Sequence, residues 1–489
     1  MLKHLLTAIF ILFLSQATSF AEVKTPATDI DVNVFEVGLD RIMEVYIDPL
    51  DMKDVVEDGL KGVLGLDSSF TLESESTHFT LVYKDERKET VLFPEKSKIE
   101  DWAKLVRTIA LKAQANSEKF AAISAENIYQ AFFDAILHDL DRFSRYTSQE
   151  QTKFYENRRI GYDGIGVVLA KKDNDIIIKK VLPDGPADKE GMRVGQKILK
   201  INGIDLTDKT LDSIALLLSS IKGDEIQITA TYAGQKKAEF KLKKAKVIEN
   251  TVSHELRKGI GYIKVSHFNK FTGINVQDAI QKIKIEAKGQ IKGYVLDLSD
   301  NPGGLLDEAV KVADTFLDSG IILTTKGRNS KSEQRFEAEK GDWIDGKPLV
   351  VFINQDSASS SEIVAAALRD NHRALLVGTR SFGKGSVQTI YTLPNESELY
   401  LTWAYLYEPN GQVYHKKGLE PDVCVGHDST ANIDIQEAIR DKKKGIEAQT
   451  CNVKASPARA NRLVADILLS HPTLYAELNQ SDQPALAGR

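Results

Sequence analysis

The run Ser357-Ala358-Ser359-Ser360-Ser361-Glu362 is where the sequence first offers chemistry. It follows an apolar stretch, 348–353, that reads as a buried strand, and a polar loop. A strong helix former follows it, through Leu368. A serine at such a junction sits beside the free N–H groups of a helix N-terminus, which are the donors an oxyanion hole needs. The plainer reading is a helix cap, since Ser359-x-x-Glu362 is also a capping box. Taken alone, the segment reads as the cap.

A serine nucleophile needs a base. No Gly-x-Ser-x-Gly elbow occurs, and none of the nine histidines stands out as a triad partner. A lysine can serve instead if burial lowers its pKa. A second apolar strand, 374–378, leads to Phe382-Gly383-Lys384-Gly385-Ser386-Val387-Gln388. Lys384 lies between two glycines, which allow close backbone packing. The bland alternative is a solvated turn lysine. Gly378-x-x-x-x-Gly383-Lys384 also imitates a phosphate-binding loop. Gly385 stands where that loop needs Ser or Thr, and 387–393 alternates like a strand where a helix should begin. Nucleotide binding is therefore set aside.

The elements that must position these residues are legible in outline. Residues 30–66 have apolar residues at helical spacing, broken at Pro49. Residues 69–93 alternate like a small antiparallel β element. Helices are expected at about 97–116 and 125–140. From Gly161 to about Lys244 the chain is β-rich and punctuated by glycines. From 248 to about 426 apolar β runs alternate with helical stretches, an α/β pattern. The last 60 residues look helical, with a mobile end at 481–489.

Within the β-rich stretch, Gly164-Ile165-Gly166-Val167 precedes a β-branched run. Such a loop can form an anion nest, and the strand edge beyond it can accept an extended peptide. A tight turn would look the same. The Gly185-Pro186-Ala187 and Ile201-Asn202-Gly203 segments follow, and then an amphipathic helix from Leu211 to Ile221. This order resembles a PDZ domain in its circularly permuted bacterial form, over about 160–244. The resemblance implies capture of a C-terminal carboxylate at Gly164, Ile165, Gly166 and Val167, with an apolar pocket for the last side chain.

Composition bounds the rest. The chain has 489 residues, 42% hydrophobic and 27% charged, with net charge −6. This is ordinary globular composition with no basic drive toward nucleic acid. Two cysteines, Cys424 and Cys451, make no disulfide scaffold. Lys3, an apolar run at 5–14 and Ser19-Phe20-Ala21 read as a signal peptide, 1–21. The alternative is an anchor, but the run is about half the ~20 residues a bilayer needs. An exported, soluble, periplasmic protein is expected. That compartment permits a Cys424–Cys451 disulfide without requiring one.

Together these segments resemble the carboxyl-terminal processing (tail-specific) proteases, serine peptidases with a Ser/Lys dyad and an inserted PDZ domain. The motifs run in the family's order over about 126–426: Leu140-Asp141-Arg142-Phe143-Ser144-Arg145-Tyr146, the PDZ segment, Gly261-Tyr262-Ile263, Leu296-Asp297-Leu298-Ser299-Asp300-Asn301-Pro302-Gly303-Gly304, the serine run, the lysine loop, and Gly418-Leu419-Glu420-Pro421-Asp422. The resemblance implies Ser359 as nucleophile, Lys384 as general base and Gln388 as its orienter. It implies an oxyanion hole from backbone N–H groups of Gly303, Gly304 and Ser360, with no metal or cofactor. It implies a crotonase-like β/α core at 245–427, a PDZ domain at 160–244, a mostly helical N-terminal region at 22–159 and a helical C-terminal region at 428–489. Substrates would be unfolded or flexible-tailed proteins, with an adaptor or self-association through the terminal regions as further partners. Departures from the family pattern occur at Ser299, often Arg, at Ser360, often Ala, along 403–407, and at Asp141-Arg142-Phe143-Ser144. The alternative function is a catalytically weak scaffold that binds C-termini, which the intact Ser359, Lys384 and Gln388 argue against.

Overall fold

Apolar residues at helical spacing build α1 (Val32–Val45) and α2 (Met52–Leu64), parted at Pro49 as the pattern predicts. The computed structural model describes residues 30–95, 98–173, 175–221, 225–232, 236–426, 431–443, 451 and 458–479. The expected signal peptide and the 481–489 tail lie outside these residues. The chain divides into two units: residues up to Asp40 with Asp51–Asp139, and Arg41–Leu50 with Leu140 onward.

In the first unit, α2 starts at Asp51, whose carboxylate accepts from the N–H groups of Lys53 and Asp54. The alternating stretch forms an antiparallel sheet of β1 (Phe70–Ser74), β2 (His78–Tyr83) and β3 (Lys88–Leu92), with Leu72 opposite Leu81 and Phe79 opposite Val91. Helices α3 (Ile99–Asn116), α4 (Glu118–Ala121) and α5 (Ala125–Leu140) follow. Phe35, Phe132 and Phe133 are fully buried together, worth roughly 2–3 kcal/mol each. Gly38 and Gly59 make room for them. A Cβ on either would lie 2.3 Å from a phenylalanine ring.

The second unit continues with β4 (Arg145–Thr147) and α6 (Gln149–Ile160), whose Ser148 and Gln151 form a capping box. A small β domain comes next. It contains β5 (Tyr162–Gly164), β6 (Val167–Lys172), β7 (Asp175–Val181), α7 (Pro186–Lys189), β8 (Lys197–Ile201), β9 (Ile204–Asp205), α8 (Leu211–Ser220), β10 (Glu225–Thr231) and β11 (Ala238–Lys243). Its antiparallel sheet runs β11-β10-β8-β7-β6 around buried Ile176, Ile178, Ile198, Ile201, Ile226 and Ile228. β5 pairs with β12 (Ala245–Val247) where the chain enters and leaves. β6 is an edge strand, and α8 packs beside it.

A six-stranded sheet holds β13 (Val252–Arg257), β14 (Ile260–Val265), β15 (Gly293–Asp297), β18 (Leu349–Ile353), β19 (Leu375–Gly378) and β22 (Val423–Cys424), in that order. From β14 to β22 the strands are parallel. Every residue of β18 is buried, as a parallel strand covered on both faces requires. Leu349, Val351 and Ile353 face one core with α9 (Thr272–Ala287), α10 (Leu306–Asp314) and α11 (Ser360–Asp370). Val350 and Phe352 face the other, with α12 (Ala431–Lys443), α13 (Ala458–Ser470) and α14 (Pro472–Asn479).

A second sheet runs β17 (Gln334–Glu337), β16 (Ile321–Lys326), β21 (Glu398–Tyr407), β20 (Ser386–Thr392). β4 also pairs with β21, and Ile47 N–H donates to Thr402 O at 2.9 Å. Residues 140–159, which the sequence grouped with the N-terminal region, therefore pack with the second unit. The β4–β21 pairing sets Tyr146 opposite Leu399.

Candidate active site

β15, β18 and β19 are adjacent and parallel, so their C-terminal ends open on one edge of the sheet. In open α/β sheets that edge is where sites are built. Here the three loops carry Asn301-Pro302-Gly303-Gly304, Ser359 and Lys384. Pro302, Gly303, Gly304, Ser359, Ser360, Lys384 and Gln388 line one cavity of about 400 Å³.

The serine run separates into distinct jobs. Ser357 Oγ donates to Leu298 O at 2.8 Å, Ser360 Oγ to Gly304 O at 3.0 Å and Ser361 Oγ to Asn301 O at 2.8 Å. These three are buried and stitch the serine loop to the loop after β15. Ser359 is half-buried and its hydroxyl is not spent on a carbonyl of that loop. Its backbone sits at φ 55°, ψ −113°, a conformation that costs a non-glycine residue about 1–3 kcal/mol. A strained strand-to-helix turn is how other hydrolases expose a serine, with the glycines that are missing here.

Glu362 holds this strain in place. It is fully buried and accepts from Ser359 N–H at 2.8 Å, Gly383 N–H at 2.7 Å, Lys384 N–H at 2.8 Å and the Ser381 hydroxyl. Burial pushes its carboxyl up, and these donors pull it back. The capping box read in the sequence is present, and it does more than cap. It joins the backbone of the Ser359 loop to the backbone of the Lys384 loop. The sequence signal was the Ser359-x-x-Glu362 spacing; nothing local reveals the partners at 381–384.

Lys384 is pressed between packed glycines as expected. A Cβ on Gly383 would lie 2.8 Å from Gly418 N, and one on Gly385 2.8 Å from His415 N. This accounts for the Gly418-Leu419 motif as the wall behind the lysine loop. Lys384 Nζ lies 5.0 Å from the centre of the Phe143 ring. Burial first, and the Arg145 charge second, push its pKa down to about 8, against the pull of Asp141 and Glu362. Gln388 lines the same cavity, and its amide nitrogen donates to Ser386 Oγ at 2.9 Å and Thr402 Oγ1 at 3.2 Å. Among the described residues no hydrogen bond joins Lys384 Nζ to Ser359 or to Gln388 in this conformation.

The glycine pair divides its work. Gly303 is buried at φ 99°, and its N–H is already given to Asn301 Oδ1 at 2.9 Å. A Cβ there would lie 2.7 Å from Ala358 O and 2.9 Å from Ser359 Cβ, so only glycine lets the two loops meet. Gly304 is exposed to the cavity. Ser360, where the family often has Ala, ties its hydroxyl to the Gly304 carbonyl. Asp141, in the altered early motif, accepts from Phe143 N–H, Ser144 N–H and Ser144 Oγ.

In the β domain, Ala187 N–H donates to Ile165 O at 2.8 Å and Leu182 N–H to Gly166 O at 2.9 Å. The Ile165 side chain is buried in the domain core, which leaves only its backbone for a ligand. Gly166 takes φ 78°. Val167 begins the edge strand β6.

A strained serine that shares a cavity with a lysine of lowered pKa, at the edge of an α/β sheet in a chain with a small β domain, is an arrangement suited to a serine peptidase. The sequence model of Peptidase family S41 matches residues 259–425, and that of the PDZ domain matches 153–231. A Carboxy-terminal-processing protease of Bartonella bacilliformis is 37% identical over 303 residues, 61% of this chain and 70% of that protein. The Carboxy-terminal processing protease CtpA of Bacillus subtilis is 31% identical over 335 residues, 68% of this chain and 71% of that protein. The solved photosystem II D1 C-terminal processing protease aligns with TM-score 0.40 at 24% identity, over 81% of this chain and 92% of that one. This chain belongs to the carboxy-terminal processing proteases of family S41, serine peptidases with a PDZ domain.

Proposed function

We propose that Ser359 and Lys384 form the catalytic dyad of an exported endopeptidase that recognises protein C-terminal tails. Of the four serines in the run, only Ser359 keeps its hydroxyl out of the stitching between loops, and it shares a cavity with Lys384. That observation carries the reading. Ser359 Oγ attacks the substrate carbonyl carbon and its proton passes to Lys384 Nζ. The oxyanion faces the N–H groups of Gly304 and Ser360, while Gly303 supplies the close approach. Collapse breaks the peptide C–N bond, and the leaving amine takes the proton from Lys384. Water, deprotonated by Lys384, then hydrolyses the acyl-enzyme. Gln388, with its amide nitrogen engaged elsewhere, is left its carbonyl oxygen to orient the ammonium.

The free edge of β6 beside α8 supports peptide addition in the PDZ domain, with the Gly164–Val167 backbone as the carboxylate nest. The parallel sheet with a second sheet beside it supports a crotonase-like core. The pairing of β5 with β12 supports an insertion spanning about 160–244, in permuted strand order. We assign 22–139 to an N-terminal region, 140–159 and 245–427 to the peptidase and 428–489 to a helical extension. Among the described residues no helix is long and apolar enough to cross a membrane. We place the enzyme in the periplasm after cleavage of residues 1–21. Substrates are flexible-tailed proteins, and an adaptor or second copy would use the terminal regions.

The test compares the mature protein with Ser359→Ala and Lys384→Ala on an unfolded substrate with an apolar tail, once as the free acid and once amidated. Wild-type cleavage that prefers the free acid, with at least ~10³-fold loss in both variants, is the expected result. Equal cleavage of both tails would remove the carboxylate nest and leave the peptidase standing. Binding without cleavage by the wild type would favour the scaffold.

A further inference from the structure

The cavity that holds Ser359 and Lys384 is also lined by Arg145, Tyr155, Arg158, Arg159, His267 and Tyr400. Its charges are unbalanced. Arg159 is matched by Glu398 at 2.8 Å. Arg145 is half-buried and stacks over Tyr400 at 3.7 Å and Tyr155 at 5.5 Å. Arg158 is exposed on α6. Among the described residues neither Arg145 nor Arg158 has a carboxylate within salt-bridge reach. Glu249 feels the charge of Arg158 but is bonded to Lys180 at 2.6 Å. His267 Nε2 is buried without a hydrogen-bond partner.

Two free guanidinium groups and an unspent imidazole nitrogen thus converge on a cavity that also contains Ser359 and Gly304. The platform is built before any ligand arrives. Tyr400, under Arg145, is held by its hydroxyl between Glu398 at 3.0 Å and Arg159. A partly desolvated arginine on a fixed ring is poised for charge-assisted bonding to a carboxylate, and its ordering cost is already met.

We infer that this part of the cavity lining is a carboxylate subsite, in which Arg145, Arg158 and His267 receive an acidic group of the substrate near the scissile bond. The inference rests on Ser359 being the nucleophile. It is separate from the β6 edge, which is formed by other residues. The carboxylate has two sources: an Asp or Glu side chain, or the terminus of a chain cut a few residues from its end.

The experiment uses the mature full-length protein and a set of apolar peptides with one cleavable bond. Each peptide carries Glu or Gln at one of the three positions on either side of that bond. A short-tailed pair ends in a free acid or an amide a few residues beyond it. The readout is the ratio of kcat/KM for acid over its neutral isostere. A ratio of about 10 or more at one position is expected, falling to about 1 in Arg145→Gln/Arg158→Gln and partly restored in Arg145→Lys. The Glu series and the terminal pair show which source is used. A ratio near 1 throughout, or one that survives in the double variant, overturns the subsite. If no peptide is cleaved at all, the nucleophile reading is what fails. Binding of the same pairs to Ser359→Ala, followed by fluorescence anisotropy, then decides the subsite by the same ratio.

Discussion

In the proposed dyad Lys384 must be neutral to take the serine proton, and its pKa is pushed down to about 8. The deprotonated fraction therefore grows as pH rises through that value. We expect kcat/KM to climb about tenfold per pH unit below pH 7 and to level off above about pH 9. Because the Arg145 charge helps to lower this pKa, Arg145→Gln should move the limb to higher pH. A profile measured on a neutral peptide keeps this apart from substrate charge. A limb at or below pH 6.5, unmoved in Arg145→Gln, would point to a histidine base. Burial and the neighbouring cations hold His415 and His267 below their ordinary value, so a limb set by either of these two would lie below pH 6.5.

At the scale of elements, the site is a meeting of three loops rather than a property of one. α11 presents Ser359, but the strain at that residue persists because Glu362 and the three stitching serines over-determine it. The tightest point is Gly303. Gly303→Ala would place a Cβ against Ala358 O and Ser359 Cβ in a left-handed backbone. The expected result is a fall in kcat of about 10² or more, the scale of losing one oxyanion donor, with KM changed less. Far-ultraviolet circular dichroism should show the fold retained. Activity within threefold of wild type would mean that the loops separate at no cost, and the close-approach role of Gly303 would fall.

Across the whole molecule, a cross-link ties the sheet to the C-terminal extension. Cys424 at the end of β22 is bonded to Cys451, with 5.7 Å between Cα atoms. Cys451 N–H also donates to Glu420, which pairs with Arg380 in the loop leading to Lys384. The bond closes a loop of 27 residues. Its removal in Cys424→Ser/Cys451→Ser should cost about 3–4 kcal/mol, read from urea unfolding. Activity at 25 °C should change only a few-fold, because the bond to Glu420 comes from the backbone and survives the change of side chain. Unchanged stability would mean that the disulfide does not form in the folded protein.

Short-range patterns were enough for the strands and helices around the site. The runs at 348–353 and 374–378, the helix after Ser359 and the strand after Lys384 all carry their periodicity in a few neighbouring residues. They also sufficed to discard the phosphate-binding loop, since β20 follows Lys384 where a helix would be needed. Other features depend on residues far apart in the chain. The engagement of Gly303 N–H, the reach of Glu362 to 381–384 and the pairing of two cysteines are set by which loops the parallel sheet brings together. The allegiance of β4 to β21, across some 250 residues, and the gathering of Arg145, Arg158 and His267 have no local signature. The amino-acid sequence determined which groups are present and which local shapes they take. Tertiary packing alone decided which of them lose water, and which charges and donors are left without a partner.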